Sequence, residues 1–288
     1  MALTKEEIKR KMTELFHEVE DITKVDGVDN LPGCEGMLIY EEPLIGFASA
    51  DEPLFEEYKK PHVIGENYLT PREWLEDTET IISFFLPFRE EIRKSNRDNK
   101  VMSSKEWLHA RFEGQNLLNI YTVRIRQWLE EQGVHVCIPA IDERFAQKIT
   151  PFVEGEPSRM GLHIASDWSE RHAAYAAGLG TFGLTRALIT EKGIAGRYGS
   201  LLISLKLEPD ERPYTGLQDY CIRCGACIRR CPVHAISMER GKDQFLCALR
   251  VVPSKKITKP RYGCGKCQVG VPCEFRNPSG GKKASAAN

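Results

Sequence analysis

Four cysteines in the C-terminal part of the sequence constrain this chain more than any other feature. Cys221, Cys224, Cys227 and Cys231 are separated by two, two and three residues, and Pro232 follows the last of them. Three thiols two residues apart can wrap one face of an iron–sulfur cube, whereas structural zinc sites normally pair two separate C-x2-C knuckles around one ion. The run therefore predicts a [4Fe–4S] cluster, with zinc as the alternative.

A second set of ligands is expected downstream, because the fourth cysteine of such a run binds the other cluster in two-cluster ferredoxins. Four later cysteines supply that set, so the sequence predicts two [4Fe–4S] clusters. We assign the first cluster to Cys221, Cys224, Cys227 and Cys273, and the second to Cys231, Cys247, Cys264 and Cys267. The five residues between Cys267 and Cys273 make a wider gap than the ferredoxin repeat, so Cys273 is the member of the set whose pairing is least regular.

Composition points to a soluble, metal-binding chain whose net charge is too small to create a strong electrostatic field. Forty basic residues nearly cancel forty-one acidic ones, which does not favour nucleic acid or a membrane surface. The first residues lack the pattern of a signal peptide and no apolar stretch is long enough to span a bilayer, so we expect a cytoplasmic protein and no membrane partner. Cysteines in such a protein indicate metal binding rather than disulfides. Cys137 lies in an apolar stretch and is expected to be a buried thiol, while the role of Cys34 stays open.

Helical and strand patterns alternate through the first two thirds of the chain. Helices are predicted over 3–19, 108–132 and 167–177, the last with Asp167 as its N-cap, and strands over 43–50, 80–85 and 134–139. Two further strands, 187–190 and 198–207, are predicted to pair as a hairpin across the turn at 191–193. A polar, proline-containing segment then separates two predicted domains, 1–210 and 211–288, the second of them ferredoxin-like.

Six glycines fall between residues 178 and 199. Such density is typical of backbone that approaches a ligand, and equally of tight turns in a β-rich region, so both interpretations stay open. Several arginines and lysines also give the cysteine-rich part a basic character. That charge can dock an acidic electron donor, such as ferredoxin or flavodoxin, or it can offset the negative charge of the clusters.

The region from 160 to 275 resembles epoxyqueuosine reductases and related corrinoid-dependent enzymes, including reductive dehalogenases. The resemblance is carried by Glu170-Arg171, by Ala173-Ala174, by the stretch Ala176 to Gly180, by Gly183, and by Leu188-Ile189, with both cysteine runs at a similar distance beyond. It implies an α/β (α+β) fold with a nitroreductase-like mixed-sheet core and flanking helices, followed by the ferredoxin-like domain.

The same resemblance implies a reductase in which electrons pass through the clusters to cobalamin, which supplies the difficult chemistry. Carried over by position, the residues lining the corrinoid would be Gly178, Leu179, Gly180, Thr181, Gly183, Gly196, Arg197 and Gly199. The family's acid ahead of the Glu-Arg pair is not matched here. Asp167, His163 and His172 are therefore the candidate proton donors, against an N-cap for Asp167 and ordinary structural roles for the histidines.

Three functions remain in competition. The leading one is a cobalamin-dependent iron–sulfur reductase acting on a small molecule rather than on transfer RNA, since the chain is nearly neutral and shows no helical repeats beyond the clusters. The alternatives are an electron-transfer or corrinoid-activating protein without turnover of its own, and a flavin-dependent reductase that uses FMN on the same core.

Overall fold

The computed structural model describes residues 3–22, 31–151 and 162–280. Helices flank a central antiparallel sheet, and the cysteine-rich segment packs against the same body. The helices are α1 (Lys5–Ile22), α2 (Leu54–Glu57), α3 (Pro71–Trp74), α4 (Glu90–Asp98), α5 (Lys105–Glu131), α6 (Glu170–Ala176), α7 (Ala226–Arg230) and α8 (Gln244–Ile257). The strands are β1 (Leu44–Ser49), β2 (Thr80–Pro87), β3 (Val136–Cys137), β4 (Gln147–Pro151), β5 (Leu162–Ser166), β6 (Gly180–Phe182), β7 (Leu188–Thr190), β8 (Gly196–Ile203), β9 (Ile236–Ser237) and β10 (Gly241–Lys242).

The main sheet has the strand order β1-β2-β8-β3, and each neighbouring pair is antiparallel. Every residue of β2 is buried, which fits a strand covered on both faces. Ile82 and Phe84 pack in the core shared with α1 and α5, while Ile81 packs on the other side with Trp168 and Ala173. The alternation follows the two-residue period of a strand. The predicted α/β class is confirmed, and the sheet expected to be mixed is antiparallel in its four strands.

The two long helices form where their apolar periodicity predicts them. In α5, Leu117, Tyr121, Ile125 and Leu129 recur at helical spacing and are buried. The helix starts three residues before the predicted position because Ser104 acts as its N-cap, accepting a hydrogen bond from the Trp107 amide at 3.2 Å. These helices cover one face of the sheet and leave the opposite face to α6.

The predicted hairpin between residues 187–190 and 198–207 is wrong. β7 pairs with β6, whereas β8 runs between β2 and β3 in the main sheet. The apolar side chains of β8, including Leu201 and Ile203, are buried in the core. A strand with partners on both edges has no hydrogen-bonding edge left for its sequence neighbour.

The cysteine-rich segment is held to the sheet and helices by charged and backbone contacts. Glu274 accepts a bond from Arg97 at 2.7 Å, and the Ile194 amide donates to the carbonyl of Cys273 at 2.9 Å. The buried Lys266 ammonium donates to the carbonyl of Asn96 at 2.8 Å. These contacts join the two parts of the chain, so the boundary between the predicted domains 1–210 and 211–288 stays a prediction. Within the described ranges, no helix is both long and apolar enough to cross a membrane.

Candidate functional site: two cysteine sets beside a cavity

The first cysteine set consists of Cys221, Cys224, Cys227 and Cys273, which line one pocket. The first three come from the loop that leads into α7. Gly225, with φ of +70°, begins that helix and turns the chain between the second and third cysteines. Cys273 reaches the pocket from far along the sequence. The Ile194 amide donates a hydrogen bond to the carbonyl of Cys273, which fixes the position of Cys273 in the pocket.

The second cysteine set consists of Cys231, Cys247, Cys264 and Cys267, which line a separate pocket of about 230 Å³. Cys231 follows α7, and its sulfur accepts a hydrogen bond from the Ala235 amide at 3.2 Å. Cys247 lies on α8. The structure thus brings together the same two groups of four that the spacing rule assigns, although the presence of a cluster in each stays a prediction.

Burial makes several of these thiols poor acids on their own. It raises the pKa of Cys227 to about 11, and the pKa of Cys267 and of Cys273 to about 12. Such thiols bind as thiolates only when a metal centre displaces their protons. In the part of the chain that the structure describes, no three His, Cys, Asp or Glu side chains converge as a single metal ion requires.

A larger cavity of about 570 Å³ lies between α2, α6 and the cysteine-rich segment. We call it the central cavity. Its volume is in the range of small-molecule and cofactor sites. Gly183, Leu184 and Arg223 line both this cavity and the pocket of the first cysteine set, so the two spaces share a wall. Of the residues that the structure describes, none lines both the central cavity and the pocket of the second set.

Among the described residues, positive charge predominates around the central cavity. Within that part of the chain, four arginines and two glutamates line it: Arg171, Arg186, Arg223, Arg240, Glu57 and Glu239. Arg171 donates to the carbonyl of Arg186 at 2.6 Å, and burial lowers its pKa. It forms no ion pair with any acidic side chain in the described ranges. A buried guanidinium without a carboxylate partner favours an anionic ligand.

His172 is the candidate proton donor that the structure places on the wall of the central cavity. Its Nδ1 is 2.8 Å from the Ser169 hydroxyl, and its ring packs against those of Tyr58 and Phe182. Burial, reinforced by the nearby Arg171 cation, lowers the pKa of His172 to about 3. The imidazole is therefore neutral at physiological pH, and it carries its proton on Nε2 when Ser169 donates to Nδ1.

The other two candidate donors lie elsewhere. Asp167 is buried, and one oxygen of its carboxylate accepts a bond from the Ala146 amide at 3.1 Å. The expectation that it caps α6 is wrong, because the helix begins two residues later with Ser169 in the N-cap position. His163 pairs with Thr150 through the β4–β5 ladder, and its side chain lies outside what the structure describes. Roles in proton transfer for both residues stay predictions.

Most residues predicted to line a corrinoid pack against the chain's own backbone or core. A Cβ added to Gly180 would lie 1.9 Å from the carbonyl oxygen of Ile189, and one added to Gly196 would lie 2.3 Å from that of Leu86. At Gly199 it would meet the Phe84 ring at 2.4 Å. Close packing therefore accounts for these glycines. Of the predicted set, Gly183 lines the central cavity.

The remaining members of that set have partners away from the cavity. Gly178 adopts a φ of +78° beside the carbonyl of Glu211. The Thr181 hydroxyl accepts a bond from the Tyr220 amide at 2.8 Å. Arg197 donates to the carbonyl of Arg111 at 2.8 Å, and Leu179 is partly buried against the core of the β6–β7 hairpin. Their contact with a corrinoid stays a prediction.

Sequence reasoning missed several residues of the cavity wall. Tyr58 and His62 come from the region after β1, more than a hundred residues before His172, and no local motif marks them. Tyr58 donates from its hydroxyl to the carbonyl of His172 at 3.1 Å, which fixes the start of α6 against α2. Arg171 lies in the Glu-Arg pair that carries the resemblance, and that pair alone does not predict a place in the cavity wall.

Glu170 is a buried carboxyl on the sheet side of α6. Neither carboxylate oxygen has a hydrogen-bond partner of good geometry in the described part of the chain, although Ser200 and Trp168 lie close by. Burial raises its pKa to about 8, an effect that the two neighbours only partly offset. The group is therefore mostly protonated at neutral pH.

We expect Glu170→Gln to remove a pH-dependent loss of stability. Wild-type Glu170 is ionised in the unfolded chain above about pH 4.5 but stays neutral in the fold until about pH 8, so folding loses free energy across that window. In urea unfolding between pH 4.5 and 8.5, the free energy of unfolding of the variant should rise relative to that of wild type by on the order of 4 kcal/mol. Glu76→Gln, at an exposed position, serves as the control. A constant difference between variant and wild type would contradict the assignment.

Comparison with known proteins identifies the cysteine-rich segment first. The family described as 4Fe-4S binding domain matches residues 217–237, which contain the first four-cysteine run. The first four-cysteine run therefore lies in a segment that matches a 4Fe–4S binding domain. No curated protein matches the chain in sequence.

Solved structures similar to the whole chain include epoxyqueuosine reductases. That from Streptococcus thermophilus is 18% identical with a TM-score of 0.48, covering 94% of this chain and 68% of its own. That from Bacillus subtilis is 16% identical with a TM-score of 0.47, covering 93% and 66%. A catabolic reductive dehalogenase is 15% identical with a TM-score of 0.49, covering 95% of this chain but 38% of its own.

These neighbours carry the names of the groups that the sequence resembles. The chain spans about two thirds of the length of the epoxyqueuosine reductases and less than half of the dehalogenase. Identities this low do not carry activity or substrate from one protein to another.

Proposed function

We propose that this chain is an iron–sulfur reductase that delivers electrons from two [4Fe–4S] clusters into the central cavity, where a bound cofactor reduces a small molecule. The single observation that carries the proposal is the wall shared by the pocket of the first cysteine set and the central cavity. A redox centre separated from a ligand site by one layer of residues can exchange electrons with it.

The cysteine sets fit iron–sulfur clusters in number, chemistry and surroundings. Each set offers four thiols around one pocket, and Leu184, Ala235 and Ile236 form an apolar cluster packed against both sets. Apolar packing limits water access, and nearby cations such as the buried Lys266 offset the negative charge of a thiolate-bound cluster. Clusters bound there would supply one-electron transfer.

Cobalamin is the cofactor proposed for the central cavity. The support is the resemblance of the Glu170–Gly183 stretch to corrinoid enzymes, together with the position of Gly183 on the wall of the central cavity. When bound, a corrinoid supplies a metal centre for reductive chemistry. The side chains of the wall have separate tasks: Arg171 attracts an anionic group, and the neutral ring of His172 can donate a hydrogen bond from Nε2.

The arginines favour a substrate with a carboxylate or another anionic group. Among the described residues, the hydrogen-bond partner of Arg171 is the Arg186 carbonyl, and Arg240 also lines the cavity. A ligand anion would supply the negative charge that no described side chain supplies to Arg171. We therefore propose an anionic small molecule rather than transfer RNA as the substrate.

Metal analysis and optical spectra of protein prepared without oxygen test this function. After reconstitution with iron, sulfide and either cobalamin or FMN, the expected result is iron and sulfide together with retained cobalt. Retained flavin without cobalt would favour the flavin reductase. Iron and sulfide with neither chromophore would favour an electron-transfer protein, and zinc in place of iron would overturn the redox proposal.

A further inference from the structure

The outer face of α8 is an exposed apolar surface with a basic border. Leu249 and Val252 are 64% and 57% exposed, and Pro253 and Lys256 complete a stripe at helical spacing. Lys255 lies next to that stripe, with its ammonium 4.4 Å from the Tyr262 ring centroid. We call these five residues the donor face. Exposed apolar side chains grouped in this way are typical of a binding surface.

The opposite side of the same helix faces the second cysteine set. Cys247 and Val251 line that pocket, and Ser254 is buried behind them. The donor face is therefore separated from the pocket by the thickness of one helix, about 10–12 Å. A protein resting on α8 would lie close to any cluster held there.

The charge around the donor face has one sign. No aspartate or glutamate occurs between Asp243 and Glu274, a stretch that holds six basic residues in a chain whose net charge is −1. Two of the six, Arg261 and Lys266, are buried, whereas Lys255, Lys256 and Lys259 are exposed. An acidic partner would meet complementary charge here.

The two cysteine sets lie at different distances from the central cavity. The first set borders it, whereas the second shares no described lining residue with it. Electrons bound for the cavity therefore enter most directly at the second set, on the side away from the substrate. The donor face lies on that side, so a docked partner does not compete with the ligand for space.

We propose that the donor face docks an acidic electron-donor protein that reduces the cluster held by the second cysteine set. In each encounter the donor is oxidised by one electron and the cluster is reduced by one, and no covalent bond changes. The proposal rests on the function proposed above. An apolar centre with a basic rim fits a protein partner better than a nucleic acid, whose contacts are mostly to phosphates.

The test compares rates of cluster reduction by two reductants. Reconstituted protein is mixed with reduced flavodoxin, an acidic donor, or with dithionite, and loss of cluster absorbance is followed by stopped flow. Lys255→Glu with Lys256→Glu should slow the flavodoxin reaction about tenfold at low salt while leaving the dithionite reaction unchanged. The wild-type flavodoxin rate should fall as ionic strength rises.

Further variants test the charged and the apolar residues of the donor face separately. Arg10→Glu with Lys11→Glu makes the same change in net charge on α1 and should not alter either rate. Leu249→Ser with Val252→Ser keeps all charges and should weaken saturation by flavodoxin. If the charge reversals perturb the fold, Lys255→Gln with Lys256→Gln should still slow the flavodoxin reaction, by a smaller factor.

The outcomes distinguish this proposal from the function on which it rests. Failure to assemble reducible clusters would overturn both. Clusters that dithionite reduces normally, combined with an unchanged flavodoxin rate in the reversed variants, would overturn the docking proposal alone. Variants that keep the flavodoxin rate but lose binding of transfer RNA in a filter assay would reassign the face to nucleic acid and would also overturn it.

Discussion

Cys224→Ser is expected to remove about half of the iron from reconstituted protein and to stop electron delivery to the central cavity, because each [4Fe–4S] cluster depends on four thiolates. Cys224 is exposed, so the substitution should disturb the protein fold less than a change at a buried cysteine. The second set keeps its four thiols. Iron analysis, with electron paramagnetic resonance of the reduced protein, should show one remaining cluster.

The same measurement on other variants tests which cysteines act together. Cys273→Ser should reproduce the spectrum of Cys224→Ser, because both line the first pocket. Cys267→Ser should instead leave the first cluster and remove the second. Cys34→Ser is the control and should keep all the iron, since Cys34 lines neither pocket. A Cys273→Ser spectrum like that of Cys267→Ser would show that the pairing is wrong.

Electron delivery separates the two clusters further. With Cys224→Ser, dithionite should still reduce the second cluster, but reduction of a cofactor in the central cavity should fall to the background rate, because the centre that borders the cavity is lost. With Cys267→Ser, dithionite should still feed the first cluster directly. Cofactor reduction that persists in Cys224→Ser would contradict the route through the shared wall.

The cysteine sets could be predicted from the sequence because the spacing of the cysteines is a local feature of the chain. Cys221, Cys224 and Cys227 must lie together whatever the rest of the chain does, since two-residue spacing leaves them little freedom. The second set required one further step, the rule that the fourth cysteine serves the other cluster. The pairing of Cys273 depended on the fold, and the backbone bond from Ile194 that places it could not be inferred from spacing.

The cavity wall could not be predicted, because it is assembled from distant segments. His172 lies on α6, whereas Tyr58 follows β1 and Arg240 follows β9, and no periodicity connects these three. The mistaken hairpin has a related cause. Two apolar strands that are neighbours in sequence suggest a hairpin, but β8 pairs instead with β2 and β3, which are distant in sequence. Tertiary context decides strand pairing more than strand propensity does.

The glycines between 178 and 199 show where sequence reasoning left a choice that the structure narrows. Glycine is required both where a backbone approaches a ligand and where it approaches another backbone. At Gly180 and Gly196 the neighbour is the chain itself, whereas Gly183 borders the central cavity and the first pocket. One stretch of sequence thus contains glycines with different roles, and substitutions can separate them.

Gly180→Ala is expected to destabilise the protein whether or not a cofactor is bound. The added methyl would lie 1.9 Å from the carbonyl oxygen of Ile189 and 2.7 Å from its carbon, so β6 and β7 must move apart. Forcing an extra group into packed structure costs about 1–3 kcal/mol, and a backbone clash this close should fall at or above the upper end. Urea unfolding of the apoprotein measures this cost.

Gly183→Ala is the matched variant and should behave in the opposite way. Its methyl would meet the terminal carbon of Ile189 at 3.2 Å, a contact that a flexible side chain relieves, so the stability cost should stay below about 1 kcal/mol. Because Gly183 borders the central cavity, the same substitution should lower the cobalt or flavin retained after reconstitution. If Gly180→Ala instead has the wild-type free energy of unfolding but retains less cofactor, Gly180 contacts the ligand as well. The packing explanation for Gly180 would then be wrong.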